Sequence, residues 1–143
     1  MNRLARILVA VDGSACADKA FECASELSKD LDSRLYAICV VHVPLMLGAD
    51  KETVRAIEQQ LQIEAQSTLS RYSTLAKSRH GIEIETIVAL GRPPQVIINT
   101  SKEKDIDLIM IGSKGLSGIK GLFLGSVSHD VVRMAKQPVL VVR

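Results

Sequence analysis

The sequence predicts an α/β protein, a parallel sheet carrying helices on both faces, and three observations lead there. Short β-rich apolar runs alternate with segments whose apolar residues recur at helical spacing. The first run, Arg6–Val11, is almost continuously apolar, as expected of a strand covered on both sides. Two runs end in polar or glycine-rich breaks, Val11-Asp12-Gly13 and Ile111-Gly112-Ser113. Strand–helix alternation of this kind winds into a mostly parallel sheet.

The elements follow in order. After the strand Arg6–Val11, Asp12-Gly13-Ser14 breaks the run and Ser14 can cap a helix. Ala17, Ala20, Phe21, Ala24, Leu27 and Leu31 give that helix one apolar face. A second strand fits Arg34–Val43, and Pro44–Ala49 is a loop. Asp50 opens a long helix to about Arg79, with Val54, Ile57, Leu61, Ala65, Leu69, Tyr72 and Ala76 as its buried stripe. Gly81 is placed to stop it in a left-handed conformation. Ile82–Leu90 reads as the third strand. Gly91-Arg92-Pro93-Pro94 leads into a short helix to about Lys104, since proline is tolerated in a first helical turn. The polar Asn99-Thr100-Ser101 weakens the core assignment there. Asp107–Ile111 is the fourth strand, Ser126–Ala135 a helix, and Pro138–Val142 the fifth strand. There is no internal repeat or linker, so residues 1–143 form a single domain.

That order is the pattern of a doubly wound, Rossmann-like sheet of five parallel strands. Ligands sit at the carboxyl ends of such strands, where the winding direction reverses. If the first and fourth strands are neighbours, their crevice is the binding site.

Composition narrows the function classes. At 143 residues, 47% hydrophobic and 24% charged, the chain is an ordinary globular domain. A net charge of +2, with no basic run, speaks against a nucleic-acid binder. No apolar stretch reaches the roughly 18–20 residues that span a bilayer, and the N-terminus lacks a signal-peptide cleavage site. A cytoplasmic location is expected. Cys16, Cys23 and Cys39 form no Cys-x-x-Cys pair and suggest neither a disulfide framework nor a zinc site. His42, His80 and His129 have no ligand-like spacing.

Five of the nine glycines fall between Gly112 and Gly125, directly after an apolar strand and before a helix. Glycine loses the most backbone entropy on folding, so such a cluster needs a reason. A strand, a glycine-rich loop and a helix N-terminus together receive phosphate through backbone N–H groups. The spacing is Gly112-x2-Gly115-x9-Gly125-Ser126. With the flanking Val11-Asp12-Gly13-Ser14, Asp107-Leu108-Ile109 and Pro138-Val139-Leu140-Val141-Val142, the chain resembles the universal stress protein family in its ATP-binding branch, over essentially its whole length.

The resemblance implies a set of roles. Gly112, Ser113, Lys114, Gly115, Leu116, Ser117 and Gly118 would wrap the ribose and phosphates. Gly125, Ser126 and Val127 would hold the phosphate tail. Asp12 would lie near the ribose or a phosphate-bound Mg²⁺. Ala10 and Val43 would line the adenine pocket, Val43 through its backbone. Lys114 stands where histidine or arginine is commoner, and can meet phosphate as a point charge. ATP, AMP or another adenine nucleotide is the implied ligand, with Mg²⁺ on the phosphates.

The residues offer no committed catalytic set. The Gly-x4-Gly-Lys-(Ser/Thr) loop and the Gly-x-Ser-x-Gly elbow are both absent. Three functions stay open: an ATP-binding regulatory module of stress response acting on an unidentified protein partner, a nucleotide-independent dimeric scaffold, and a slow ATPase or adenylate-hydrolysing enzyme, with self-phosphorylation on a loop serine allowed by the resemblance. The apolar terminal strand Val139–Val142 is an expected sheet edge, open to pairing in a homodimer.

Overall fold

The computed structural model describes residues 3–115 and 124–143. Five strands form one parallel sheet: β1 (Arg6–Ala10), β2 (Arg34–Val41), β3 (Glu85–Leu90), β4 (Leu108–Gly112) and β5 (Val139–Val142), in the order β3-β2-β1-β4-β5. The chain winds outward from β1 to β3, then returns to place β4 on the other side of β1. The winding therefore reverses between β1 and β4, the adjacency on which the sequence reading depended.

Side-chain parity builds two cores from the same strands. Ile7 and Val9 of β1 and Leu108 and Met110 of β4 face one side, where they meet α1 (Ala15–Leu31) and α2 (Lys51–Leu75). Leu8, Ile109 and Ile111 face the other, against α3 (Pro93–Glu103) and α4 (Ser126–Met134). Burial on both faces is why β1 and β4 are apolar at almost every position.

Side chains start the first two helices as their sequences suggest. The Ser14 hydroxyl accepts from the Ala17 N–H at 3.2 Å, and the Asp50 carboxylate accepts from the Thr53 N–H at 2.7 Å. Bonds from the Thr53 side chain and backbone hold the Asp50 carboxyl below its ordinary pKa. The long helix differs from its expected course at the end. It leaves α geometry at Ala76 and closes in a π-helical turn, Ala76–His80, before Gly81 at φ 66°. That wider turn lets consecutive residues share one carboxylate: Arg79 and His80 reach the two oxygens of Glu22 at 3.0 and 2.8 Å.

Other boundaries shift slightly. Strand pairing in β2 ends at Val41 and in β3 begins at Glu85, although Val43, Ile82 and Ile84 still pack on the α1/α2 core. α3 begins at Pro93, with Pro at its first positions. Its Thr100 and Ser101 are buried after all, and the Ser101 hydroxyl is satisfied by the Ile98 carbonyl at 2.7 Å. Asp107 precedes β4 rather than joining it. Its Oδ2 accepts from the N–H groups of Ala5 and Arg6, both at 2.9 Å, and fixes the start of β1.

Candidate functional site

The crevice between β1 and β4 opens into a cavity of about 180 Å³. Ala10 stands between Ile38 on β2 and Ile111 on β4 in the strand register, and all three line the space. The small side chain at the central position leaves room between the two isoleucines. Val40, Pro93 and Ile97 extend this apolar wall. The opposite wall is polar: Asp12, Gly112, Lys114 and Gly115 come from the ends of β1 and β4, and Gly125 to Ser128 from the start of α4.

Each wall follows from local chemistry. α4 has Gly125 at its N-cap, with no side chain to bond the first amides. The leading N–H groups of a helix have no intrahelical partner, so those of Ser126 and Val127 are available to an anion. Asp12 forms a turn in which Oδ1 accepts from the Ser14 N–H at 2.9 Å. Its Oδ2 lies 2.8 Å from where a Cβ on Gly115 would stand, so only glycine lets the backbone approach that carboxylate. Ser14 reaches the loop as well, its hydroxyl 3.5 Å from the Lys114 carbonyl. Behind the wall, burial and, secondarily, the Asp12 charge raise the pKa of the Cys39 thiol and keep it protonated.

The arrangement can hold a ligand with a flat apolar part and an anionic tail. An adenine nucleotide fits that description: the base needs an apolar slot, and the phosphates need N–H donors. Asp12 places a negative charge beside the same wall, so a phosphate tail there calls for a divalent cation between them. A Mg²⁺ ion carried on the phosphates would find an oxygen donor in Asp12.

Most of the expected site residues meet at this cavity: Ala10, Asp12, Gly112, Lys114, Gly115, Gly125, Ser126 and Val127 all line it. Two have other surroundings. Ser113 is 6% exposed and is occupied with the fold. Its N–H donates to the Val142 carbonyl at 2.7 Å, its carbonyl accepts from the Gly125 N–H at 2.7 Å, and its hydroxyl sits 3.8 Å from the Cys16 thiol. Val43 is absent from the cavity lining, and its side chain packs on the α1/α2 core. Leu116, Ser117 and Gly118 lie outside the described residues. Gly112 has a second duty, because a Cβ there would lie 2.8 Å from the Cys16 carbonyl carbon.

As site residues, the sequence reading missed Val11, Ala17, Ile38, Val40, Pro93, Ile97, Ile111 and Ser128. Parity was the available signal for two of them: Ile38 and Val40 share a strand face with Tyr36 and oppose Val41 and Val43. Nothing in the sequence separates Ser128 from an ordinary serine in a helix's first turn.

Comparison with known proteins agrees with this fold. A match to the "Universal stress protein family" spans residues 4–143. Universal stress protein YxiE of Bacillus subtilis is 35% identical, over 96% of this chain and 98% of its own. The structure of universal stress protein UspA from Lactobacillus plantarum superposes with a TM-score of 0.91 at 25% identity, covering 100% of both chains. A universal stress protein in complex with cAMP gives a TM-score of 0.75 at 25% identity and covers 99% of each chain. The universal stress protein from Archaeoglobus fulgidus in complex with dAMP gives 0.69 at 26%, covering 99% of this chain and 100% of that one.

Proposed function

The chain belongs to the universal stress protein family, and we propose that it binds an adenine nucleotide, ATP in the first place, as a regulatory module of stress response. The observation that carries this reading is the two-walled cavity: an apolar slot around Ala10, Ile38 and Val40 faces uncapped helix amides beside Gly115. The base occupies the slot, and the phosphates lie along Gly115, Gly125, Ser126 and Val127, with Lys114 as counter-charge and Mg²⁺ between phosphate and Asp12. The cAMP and dAMP complexes of similar proteins support the choice of base, since adenine and one phosphate are what those ligands share.

Nucleotide occupancy then changes the surface around the glycine-rich segment that a downstream protein reads. The protein acts in the cytoplasm as a homodimer paired through β5, whose Leu140 is 37% exposed. No described helix is long and apolar enough to cross a membrane.

Calorimetric titration of the purified chain with ATP, in the presence of Mg²⁺, tests the reading. Micromolar-range binding that is lost when Gly125 is replaced by valine is the expected result. Absence of heat, together with failure to displace a fluorescent ATP analogue, would refute it.

A further inference from the structure

We infer that Ser128 is a positioning residue for the phosphate wall: its hydroxyl ties the end of β4 to the start of α4 and so fixes the direction of the helix amides. The inference rests on the nucleotide reading of the cavity. Ser128 is the third residue of α4 and only 2% exposed. Its Oγ lies 3.1 Å from the Ser113 carbonyl oxygen and 3.0 Å from that of Gly125. The second contact is the local back-bond common in a helix's first turn. The first reaches 15 residues back in the chain, to the residue that follows β4.

Three contacts converge on that junction. The Ser113 carbonyl also accepts from the Gly125 N–H at 2.7 Å. A Cβ on Gly125 would lie 3.2 Å from the Ser113 carbonyl oxygen and 3.7 Å from Ser128 Oγ, so a side chain there would push the junction apart. Ser126 and Val127 follow Gly125 directly, and their N–H vectors turn with it. The one proton of the hydroxyl is shared between two carbonyls, which makes Ser128 the group that sets their separation.

Removal of the hydroxyl leaves the fold's other bonds in place. The Ser113 carbonyl keeps the Gly125 N–H, and the Gly125 carbonyl keeps the His129 N–H at 2.9 Å. A merely structural serine would therefore cost some stability and weaken all ligands alike. A positioning serine weakens only those that carry phosphate.

The test titrates wild type, Ser128→Ala and Ser128→Thr with ATP and with adenosine, and follows hydrogen exchange of the Gly125 amide in the nucleotide-free proteins. Ser128→Ala should weaken ATP about tenfold, the equivalent of one ordinary hydrogen bond, and leave adenosine unchanged. Ser128→Thr, which keeps the hydroxyl, should restore ATP affinity, and the Gly125 amide should exchange faster in Ser128→Ala alone. Equal losses for ATP and adenosine, or unchanged ATP affinity, would overturn the positioning role while leaving the nucleotide site intact. Unchanged Gly125 exchange in Ser128→Ala overturns it in the free protein, whatever the titrations give. Wild-type protein that binds neither ligand would instead remove the nucleotide reading, and this role with it.

Discussion

Gly112, the last residue of β4, and Cys16, the second residue of α1, touch through their backbones: a methyl group on Gly112 would lie 2.8 Å from the Cys16 carbonyl carbon and 2.9 Å from its Cβ. The helix can sit this close to the sheet only because position 112 has no side chain. Gly112→Ala must move α1 as a body, since the obstacle is backbone. Overpacking of this kind costs about 1–3 kcal/mol, which urea denaturation will measure. A change within about 0.5 kcal/mol, the range of surface substitutions, would show that the contact relaxes freely.

Gly115 makes a different demand. Its neighbour is the Asp12 carboxylate, a side chain that can rotate away. Gly115→Ala should therefore lower the urea midpoint less than Gly112→Ala does. It should weaken ATP by at least about tenfold, or 1.4 kcal/mol, because Asp12 then leaves the turn it makes with Ser14. The pair of glycine variants separates packing from binding: one loses stability first, the other affinity first.

That contrast also marks what the sequence could reveal. The succession of strands and helices and the glycine cluster were legible, because apolar periodicity and glycine spacing are local signals, while strand order entered only as a condition. Which glycine served which purpose was not. Gly112 and Gly115 look alike in a motif, yet one accommodates a helix and the other a carboxylate, and both partners come from the N-terminal part of the chain. The same holds for Asp107, whose bonds to Ala5 and Arg6 join the starts of neighbouring strands, and for Ser113, which bonds Val142. Helix interruption at Ala76 left no trace in the apolar stripe, since Tyr72 and Ala76 remain buried through it.

Asp107→Ala removes one carboxylate oxygen that accepts two backbone N–H groups at the other end of the sheet from the cavity. Stability should fall by about 1–3 kcal/mol, with ATP affinity at wild-type level. Calorimetry on the folded variant checks the second half. A parallel loss of affinity would mean that the anchoring of β1 reaches the site.

Tyr72 is fully buried, packs in a tilted arrangement on Phe21 with ring centroids 4.6 Å apart, and donates its hydroxyl to Asp18, which Arg71 also engages at 3.0 Å. Burial first, then the bond and charge of Asp18, push its pKa well above the ordinary tyrosine value. The folded chain thus keeps a proton that the unfolded chain releases near pH 10. Stability is full below that pH and declines as pH rises past it. In Tyr36→Phe, where Tyr72 is the remaining tyrosine, phenolate absorbance should appear only with unfolding. Phenolate in the still-folded protein at pH 10 would refute this. Tyr72→Phe should cost about 1.5–3 kcal/mol, as for a bond to a charged group.

The proposed pairing through β5 predicts that light scattering finds a dimer and that Leu140→Asp, at an exposed position of that strand, gives a folded monomer. A dimer untouched by Leu140→Asp would move the interface elsewhere.

The central claim, that the cavity between β1 and β4 takes an adenine nucleotide, is tested most directly by mass spectrometry of the small molecules released from gently purified protein, followed by titration with the nucleotide found. The account predicts an adenine nucleotide in the wild-type protein and its loss from Gly125→Val. A different class of molecule, or an adenine nucleotide retained in equal amount by Gly125→Val, would contradict it.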